Sequence, residues 1–185
     1  MISNCVAGRV VRRMDETIKV CSFSCGEEYS ELNSFIVEDA TFYQRELLAV
    51  TYLMEDLGEL IAYFSLANDR IGIEDFDSTN LYNKFRRKSF VNAKRIKHYP
   101  AVKICRLGVC EEKQQSGIGT SILDYIKLDF YHANKTGCRY LTVDAHQEAV
   151  PFYRKNGFRP LRDLDPISKE DTVLMYFDLT ALKQI

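Results

Sequence analysis

Two glycines, Gly117 and Gly119, stand where a predicted strand ends and a predicted helix begins. The first backbone N–H groups of a helix have no intrahelical partner, and the helix dipole adds positive potential there. Glycine also permits positive φ and lets a ligand approach the backbone closely. The spacing therefore predicts an anion site that suits a phosphate or a pyrophosphate.

Two common phosphate motifs do not fit this loop. A Walker loop has a lysine and then Ser or Thr directly after its last glycine, whereas Gly119 is followed by Thr120 and Ser121. A dinucleotide fingerprint needs a third glycine three residues after Gly119, where this chain has Ile122. A glycine pair without either signature is equally consistent with ordinary loop geometry.

A second motif follows further along the chain, in a short predicted helix that contains Phe152 and Tyr153 and ends before Gly157. In order and spacing, the two motifs together resemble those of the GNAT superfamily of acyl-CoA-dependent N-acyltransferases. The resemblance is specific over residues 101–160 and looser over a predicted hairpin at 48–67. The matching patterns are Gln114-x-x-Gly117-x-Gly119 for the pyrophosphate loop and Ala149-x-x-Phe152-Tyr153-x-x-x-Gly157-Phe158 for the late helix.

The resemblance implies the GNAT fold, an α/β (mixed α+β) architecture in a single domain over residues 1–185. Its central sheet is mixed and mostly antiparallel, is flanked by helices and is splayed where acyl-CoA enters. The alternation of strand-like and helix-like patches along the chain favours the same class. The predicted strands are 6–11, 18–23, 48–54, 59–67, 101–109, 140–143 and 173–179, and the predicted helices are 30–47, 117–133 and 149–156. Residues 68–99 are predicted to be a loop or an insert with a helix inside, closed by Pro100.

The resemblance also implies acetyl-CoA as the co-substrate. Backbone groups around Leu107 and Val109 would hold the pantetheine arm as an added strand, and Phe152 is assigned to the same cofactor. The commonest loop of the family is Gln-Gly-Lys-Gly-x-Gly, and Gln115 and Ser116 depart from it by removing one glycine and one positive charge, which predicts weaker acyl-CoA binding. The residues expected to hold the pyrophosphate are Gln114, Gln115, Ser116, Gly117, Ile118, Gly119 and Thr120.

Acetyl transfer to an amine requires two proton steps, because the amine must lose a proton and the departing thiolate must gain one. A tyrosine hydroxyl with a pKa of about 10 stays protonated at neutral pH and can serve as the acid. The resemblance assigns this role to Tyr153, and the alternative is a core tyrosine whose hydroxyl only satisfies a polar group. The general base is not assigned, and a water relay would also suffice. Carboxylates and a histidine near predicted substrate-side loops are Glu55, Asp56, Glu59, Glu74, Asp75 and His98.

Several short pieces resemble GNAT proteins of the toxin–antitoxin type, which acetylate the amine of aminoacyl-tRNA. These pieces are Ser22–Gly26 ahead of Leu32–Phe35, the predicted strand Leu60–Leu66, and Tyr99–Ala101 before Arg106 and Leu107. A catalytically weak acyl-CoA-binding or interaction module stays open as a different class of function.

A basic run at residues 84–97 bears on the choice of acceptor, since seven of its fourteen residues are Lys or Arg. It could contact tRNA phosphates through Lys84, Arg86, Arg87 and Lys88, with aromatic residues such as Phe85 and Phe90 available to stack on bases. The alternative is a solvated amphipathic helix whose apolar residues pack inward.

The composition of the chain excludes several other classes of protein. The 25 basic and 26 acidic residues leave a net charge of −1, which argues against a protein that coats nucleic acid non-specifically. With 46% hydrophobic and 12% aromatic residues, the chain is not disordered in general. No export signal or membrane span is visible, which predicts a cytoplasmic protein. The six cysteines form no CxxC and no histidine stands at zinc-finger spacing, so we expect no metal. A homodimer is left open.

Overall fold

The computed structural model describes residues 5–6, 8–89, 96–162 and 172–184. The chain divides into two compact units, Met1–Ala67 with Ile104–Asn134, and Asn68–Lys103 with Lys135–Ile185. The strands are β1 (Cys5–Val6), β2 (Arg9–Arg13), β3 (Val50–Asp56), β4 (Glu59–Gly72), β5 (His98–Val109), β6 (Tyr140–His146), β7 (Arg159–Pro160) and β8 (Thr172–Asp178). The α-helices are α1 (Ser30–Ser34), α2 (Ala40–Arg45), α3 (Thr79–Ser89), α4 (Ile118–His132) and α5 (Val150–Lys155).

In the first unit the strand order is β1-β2-β3-β4-β5, and the pairs from β1 to β4 are antiparallel. Strands β3 and β4 form the predicted hairpin, and its turn is made by Leu57 and Gly58. Both residues have positive φ, at 50° and 86°, as the favoured two-residue hairpin turn requires. The acidic Glu55 and Asp56 that precede the turn belong to β3.

The helical stretch of the first unit covers one side of these strands. A π-helical turn over Phe35–Asp39 joins α1 to α2, so residues 30–45 form the continuous helix that the apolar spacing predicts. Phe35 and Ile36 are buried and pack in one cluster with Met14, Leu53 and Tyr63. The buried residues of α4, Ile118, Ile122, Leu123, Ile126 and Lys127, recur at helical spacing.

In the second unit the strand order is β4-β5-β6-β8-β7. Strands β5 and β6 are parallel through Ala101↔Tyr140 to Lys103↔Thr142, whereas β6–β8 and β7–β8 are antiparallel. The sheet is therefore mixed and mostly antiparallel, with helices beside it, as expected. An aromatic cluster occupies one face of this unit and contains Phe76, Tyr82, Phe85, Tyr99, Tyr140 and Tyr176.

Three predictions of local structure are corrected. Residues 18–23 are not a strand, because Ile18, Val20 and Phe23 pack as irregular chain against the Phe35 cluster. The stretch 68–99 is more ordered than a loop, since β4 continues to Gly72 and α3 follows at Thr79–Ser89. Pro100 lies inside β5 and does not precede it.

Candidate active site

The loop between β5 and α4 has the backbone that a phosphate-binding turn needs. Gln115 and Gly117 both have left-handed φ, at 56° and 85°. A Cβ built on Gly117 would meet nothing within 4 Å, so glycine is favoured there by conformation and not by lack of space. Gln115 stands where the family's commonest loop has glycine, and its left-handed φ is one that glycine adopts readily. Residues 111–117 are exposed to solvent.

The N-terminus of α4 is open at the end of this loop. No side chain caps it, and the first-turn N–H groups of Ile118, Gly119 and Thr120 have no intrahelical partner. The Ser121 hydroxyl donates back to the Gly117 carbonyl oxygen at 3.2 Å. With the dipole of a 15-residue helix behind them, these N–H groups fit a pyrophosphate.

Gln114 holds the loop in place through its side chain. Its Nε2 donates to the carbonyl oxygen of Cys25 at 2.7 Å and to that of Val109 at 3.3 Å. The backbone N–H of Glu111 donates to the carbonyl oxygen of Ser24 at 3.0 Å. The side chain of Gln114 therefore shapes the loop against residues 24–25, a support that the sequence reasoning missed. The toxin-like piece Ser22–Gly26 was the available signal.

The end of β5 is positioned by close packing at Gly108. A Cβ at this glycine would lie 2.6 Å from Cε1 of Tyr63 and 2.9 Å from Sγ of Cys25, so no larger residue fits. Tyr63 is fully buried and donates its hydroxyl to the Leu32 carbonyl oxygen at 2.7 Å. Because side chains alternate along a strand, Leu107 and Val109 point to the opposite face, where both are half-buried.

Arg106 adds a positive charge on the Gly108 face of β5. Its guanidinium lies 5.2 Å from the ring centroid of Phe35, which is a cation–π distance.

Neighbouring Cys25 is a poor nucleophile, since burial raises the pKa of its thiol to about 11. The cysteines that the structure describes with side chains, at positions 21, 25, 105, 110 and 138, are free thiols.

Tyr153 lies on α5 in the second unit and is 7% exposed. Its ring makes edge contacts with Phe152 at 5.1 Å and with Phe158 at 5.4 Å between centroids. Gly157 ends the helix with φ at 82°, and a Cβ there would lie 3.1 Å from the Phe177 ring. The predicted late helix and its glycine end are therefore present, although α5 is six residues long.

Burial keeps the Tyr153 hydroxyl in its neutral form. Burial alone raises the pKa of Tyr153, so the hydroxyl is protonated at neutral pH. No described residue forms a hydrogen bond with this hydroxyl. Its oxygen is not among the fully buried polar atoms that lack a partner, so it is not sealed from solvent. The alternative in which the hydroxyl only satisfies a polar group therefore has no support in the described structure.

Most of the candidate bases are engaged in local contacts. Glu55 pairs with Arg12, with 2.9 Å between Oε1 and Nε, and Asp56 lies 3.5 Å from Arg9. In the second unit, Glu74 pairs with Arg70, and Asp75 accepts the backbone N–H of Gly72 at 2.6 Å. His98 contacts the Arg70 guanidinium through Nδ1 at 3.2 Å, and Glu59 is exposed. None of these contacts singles out a base.

The basic run forms α3 in its first part. Lys84 and Arg87 are exposed and Arg86 is half-buried, while Phe85 packs into the aromatic cluster against Tyr140 and Tyr176. Phe85 is therefore an anchor and is not free to stack on a base, which corrects that part of the prediction. The side chain of Lys88 and residues 90–95, with Phe90, lie outside the described part of the chain.

No cluster of His, Cys, Asp or Glu in residues 5–6, 8–89, 96–162 and 172–184 could hold a metal ion. Within the same ranges, no helix is long and apolar enough to cross a membrane.

Comparison with known proteins assigns the fold and the family. No curated protein sequence matches the chain. A tyrosine-to-phenylalanine mutant of KacT matches 95% of this chain and 98% of its own at 20% identity, with a TM-score of 0.72. The structure of AtaT complexed with acetyl-methionyl-tRNAfMet matches 95% of this chain and 98% of its own at 18% identity, with a TM-score of 0.70.

A third structure is a tyrosine-to-phenylalanine mutant of the AtaT toxin bound to the C-terminus of the antitoxin AtaR and acetyl-CoA. It matches 95% of this chain and 96% of its own at 17% identity, with a TM-score of 0.68. The family model described as the acetyltransferase (GNAT) domain matches residues 50–160, more than half of the chain, and includes both motifs. The chain thus belongs to the GNAT family and is an acetyl-CoA-dependent N-acetyltransferase.

Proposed function

We propose that this enzyme acetylates the α-amino group of an aminoacyl-tRNA. The observation that carries the proposal is the arrangement of α3. This helix exposes Lys84 and Arg87, while its Phe85 packs against the aromatic cluster. An anchored helix holds its charges at fixed positions, as contact with a regular array of phosphates requires. The likeness of the fold to AtaT, solved with acetyl-methionyl-tRNAfMet, supports the same acceptor.

Acetyl-CoA would bind mainly through backbone groups of the β5–α4 connection. The first-turn N–H groups of α4 would hold the pyrophosphate, in the turn formed by Gln114, Gln115, Ser116 and Gly117. Pairing of β5 with β6 ends at Lys103↔Thr142 among the described residues, so the backbone around Leu107 and Val109 can bind the two amides of the pantetheine arm. Phe152 would contribute apolar surface to the same co-substrate.

In the proposed reaction the amine nitrogen attacks the thioester carbonyl carbon and the carbon–sulfur bond breaks. Tyr153 would donate its hydroxyl proton to the departing thiolate. Its hydroxyl carries its proton at neutral pH, because burial raises the pKa of Tyr153 above the ordinary value for a tyrosine. One domain over residues 1–185, a homodimer and a cytoplasmic location stay predictions.

The salt dependence of acceptor binding tests this proposal. Release of counterions makes log affinity fall linearly with log salt, by about 0.9 per phosphate contact on a duplex. Replacing Lys84 and Arg87 with Gln should lower that slope by about two and leave acetyl-CoA affinity unchanged. The matched control replaces the exposed Lys19 and Lys135 with Gln and should keep the parent slope.

Two results would overturn the proposal. Acetylation of a small amine, with no modification of any aminoacyl-tRNA, would replace tRNA by a small-molecule acceptor. Acetyl-CoA binding with no release of thiol in the presence of either acceptor would favour a binding module instead.

A further inference from the structure

One sheet face of the second unit changes from aromatic to polar along its strands. Ile71 and Tyr140 lie in the aromatic cluster. Two residues away on the same strands, and therefore on the same face, are Asp69 on β4 and Thr142 on β6, and Asp144 follows on β6. A polar side chain that is buried where apolar side chains would pack needs a hydrogen-bond partner or a function.

Thr142 and Asp69 form a fixed pair on this face. Thr142 is completely buried, and its Oγ1 donates to Oδ2 of Asp69 and contacts the carbonyl oxygen of Val102 at 3.4 Å. Asp69 is half-buried. The nearby Asp144 pairs with Lys103, whereas no ion pair of the described residues uses Asp69. The second carboxylate oxygen of Asp69 is thus oriented by a buried hydroxyl and accepts no bond within the described structure.

This pair stands at the end of the parallel pairing between β5 and β6. Thr142 faces Lys103 in the last rung of that pairing among the described residues. An unpaired strand edge can bind the amide groups of an extended ligand, and among the described residues the paired part of β6 ends at this rung. The carboxylate of Asp69 accepts the hydrogen bond of Thr142, which is the β6 residue at that rung.

We propose that Asp69 is the proton acceptor for the acceptor amine, and that Thr142 is the positioning residue that orients it. The proposal rests on the proposed acetyl transfer. As the nitrogen bonds to the carbonyl carbon it becomes acidic, so the Asp69 carboxylate can take its proton. The carbon–sulfur bond breaks, and the thiolate takes the proton of Tyr153. Solvent then returns the proton from Asp69 to the Tyr153 phenolate, which restores both groups.

Matched variants at Asp69 and Asp144 test the role. Asp69→Asn keeps the size of the side chain and removes its charge, so kcat should fall by about 10²-fold to 10³-fold. The acetyl-CoA Kd and the melting temperature should stay at the parent values. Asp144→Asn is the control, because it removes a carboxylate from the same face, and it should keep the parent kcat.

Variants of Thr142 separate orientation from packing. Thr142→Val deletes the hydroxyl with little change of shape and should lower kcat in the same direction as Asp69→Asn, whereas Thr142→Ser should restore activity. A folded Asp69→Asn enzyme with the parent kcat would overturn the proposal, and so would full activity in Thr142→Val if Asp69→Asn did not fold.

The choice of acceptor keeps this test separate from the tRNA proposal. The parent enzyme is assayed first on aminoacyl-tRNA and on a panel of amines. If it acetylates only a small amine, the tRNA proposal fails, and the Asp69 comparison is made with that amine. If it acetylates aminoacyl-tRNA and Asp69→Asn does so equally well, only the Asp69 proposal fails.

Discussion

The β5–α4 loop of the first unit is exposed and shaped by its backbone, whereas α5 of the second unit holds Tyr153 buried between phenylalanine rings. In the loop, Gln115 stands where the commonest family loop has glycine, and it has a left-handed φ of 56°. Backbone N–H groups survive such a substitution because every residue except proline supplies one. In α5, by contrast, the proposed chemistry depends on one hydroxyl. A site made of backbone therefore tolerates sequence change that a site made of a single side chain does not.

The largest effect should come from Tyr153→Phe, which keeps the ring and deletes only the hydroxyl. If this hydroxyl protonates the thiolate, kcat should fall by about 10²-fold to 10⁴-fold. Acetyl-CoA affinity, measured by calorimetry, should change little, because the loop is untouched. If the variant kept most of its activity, Tyr153 would be a packing residue, and the contrast between a backbone site and a single-hydroxyl site would no longer hold.

A smaller effect is expected for Gly119→Val, which adds a branched side chain in the first turn of α4. The methyl groups would occupy the space in which the N–H groups meet the pyrophosphate, and acetyl-CoA affinity should fall by roughly 10-fold to 100-fold, the weight of one or two charge-assisted hydrogen bonds. The melting temperature of the variant checks for a general loss of stability. Unchanged affinity in a folded Gly119→Val protein would remove the loop from the site.

The smallest effect should come from Gln115→Gly. Glycine removes the strain of a left-handed side-chain residue, about 1–2 kcal/mol, but raises the entropy of the unfolded chain by about 0.5–1 kcal/mol. Both terms act on the free energy of unfolding and not on binding. Because Gly and Gln supply the same backbone N–H to the loop, acetyl-CoA affinity should stay within about threefold of the parent. A tenfold loss would mean that the Gln115 side chain itself contacts the co-substrate.

Local sequence pattern was sufficient to predict the elements whose contacts join residues close in the sequence. Helix α4, the hairpin of β3 and β4, and the glycine end of α5 were predicted from spacing, because each is set by contacts between residues close in the sequence. The strand predicted at 18–23 failed because its apolar residues pack against the Phe35 cluster without pairing with a neighbour. Apolar alternation by itself does not distinguish these two outcomes.

The sequence by itself determined the family, the glycine loop and the position of the tyrosine, since these are patterns of residue types at short spacing. Only the tertiary structure decided which side chains serve as supports. The Gln114 amide bonds to Cys25, 89 residues away, and the Thr142 hydroxyl bonds to Asp69, 73 residues away. Phe85, an apparent stacking residue in the basic run, lies in the aromatic cluster. Contacts between distant segments depend on strand register and burial, which the order of residues along one segment does not contain.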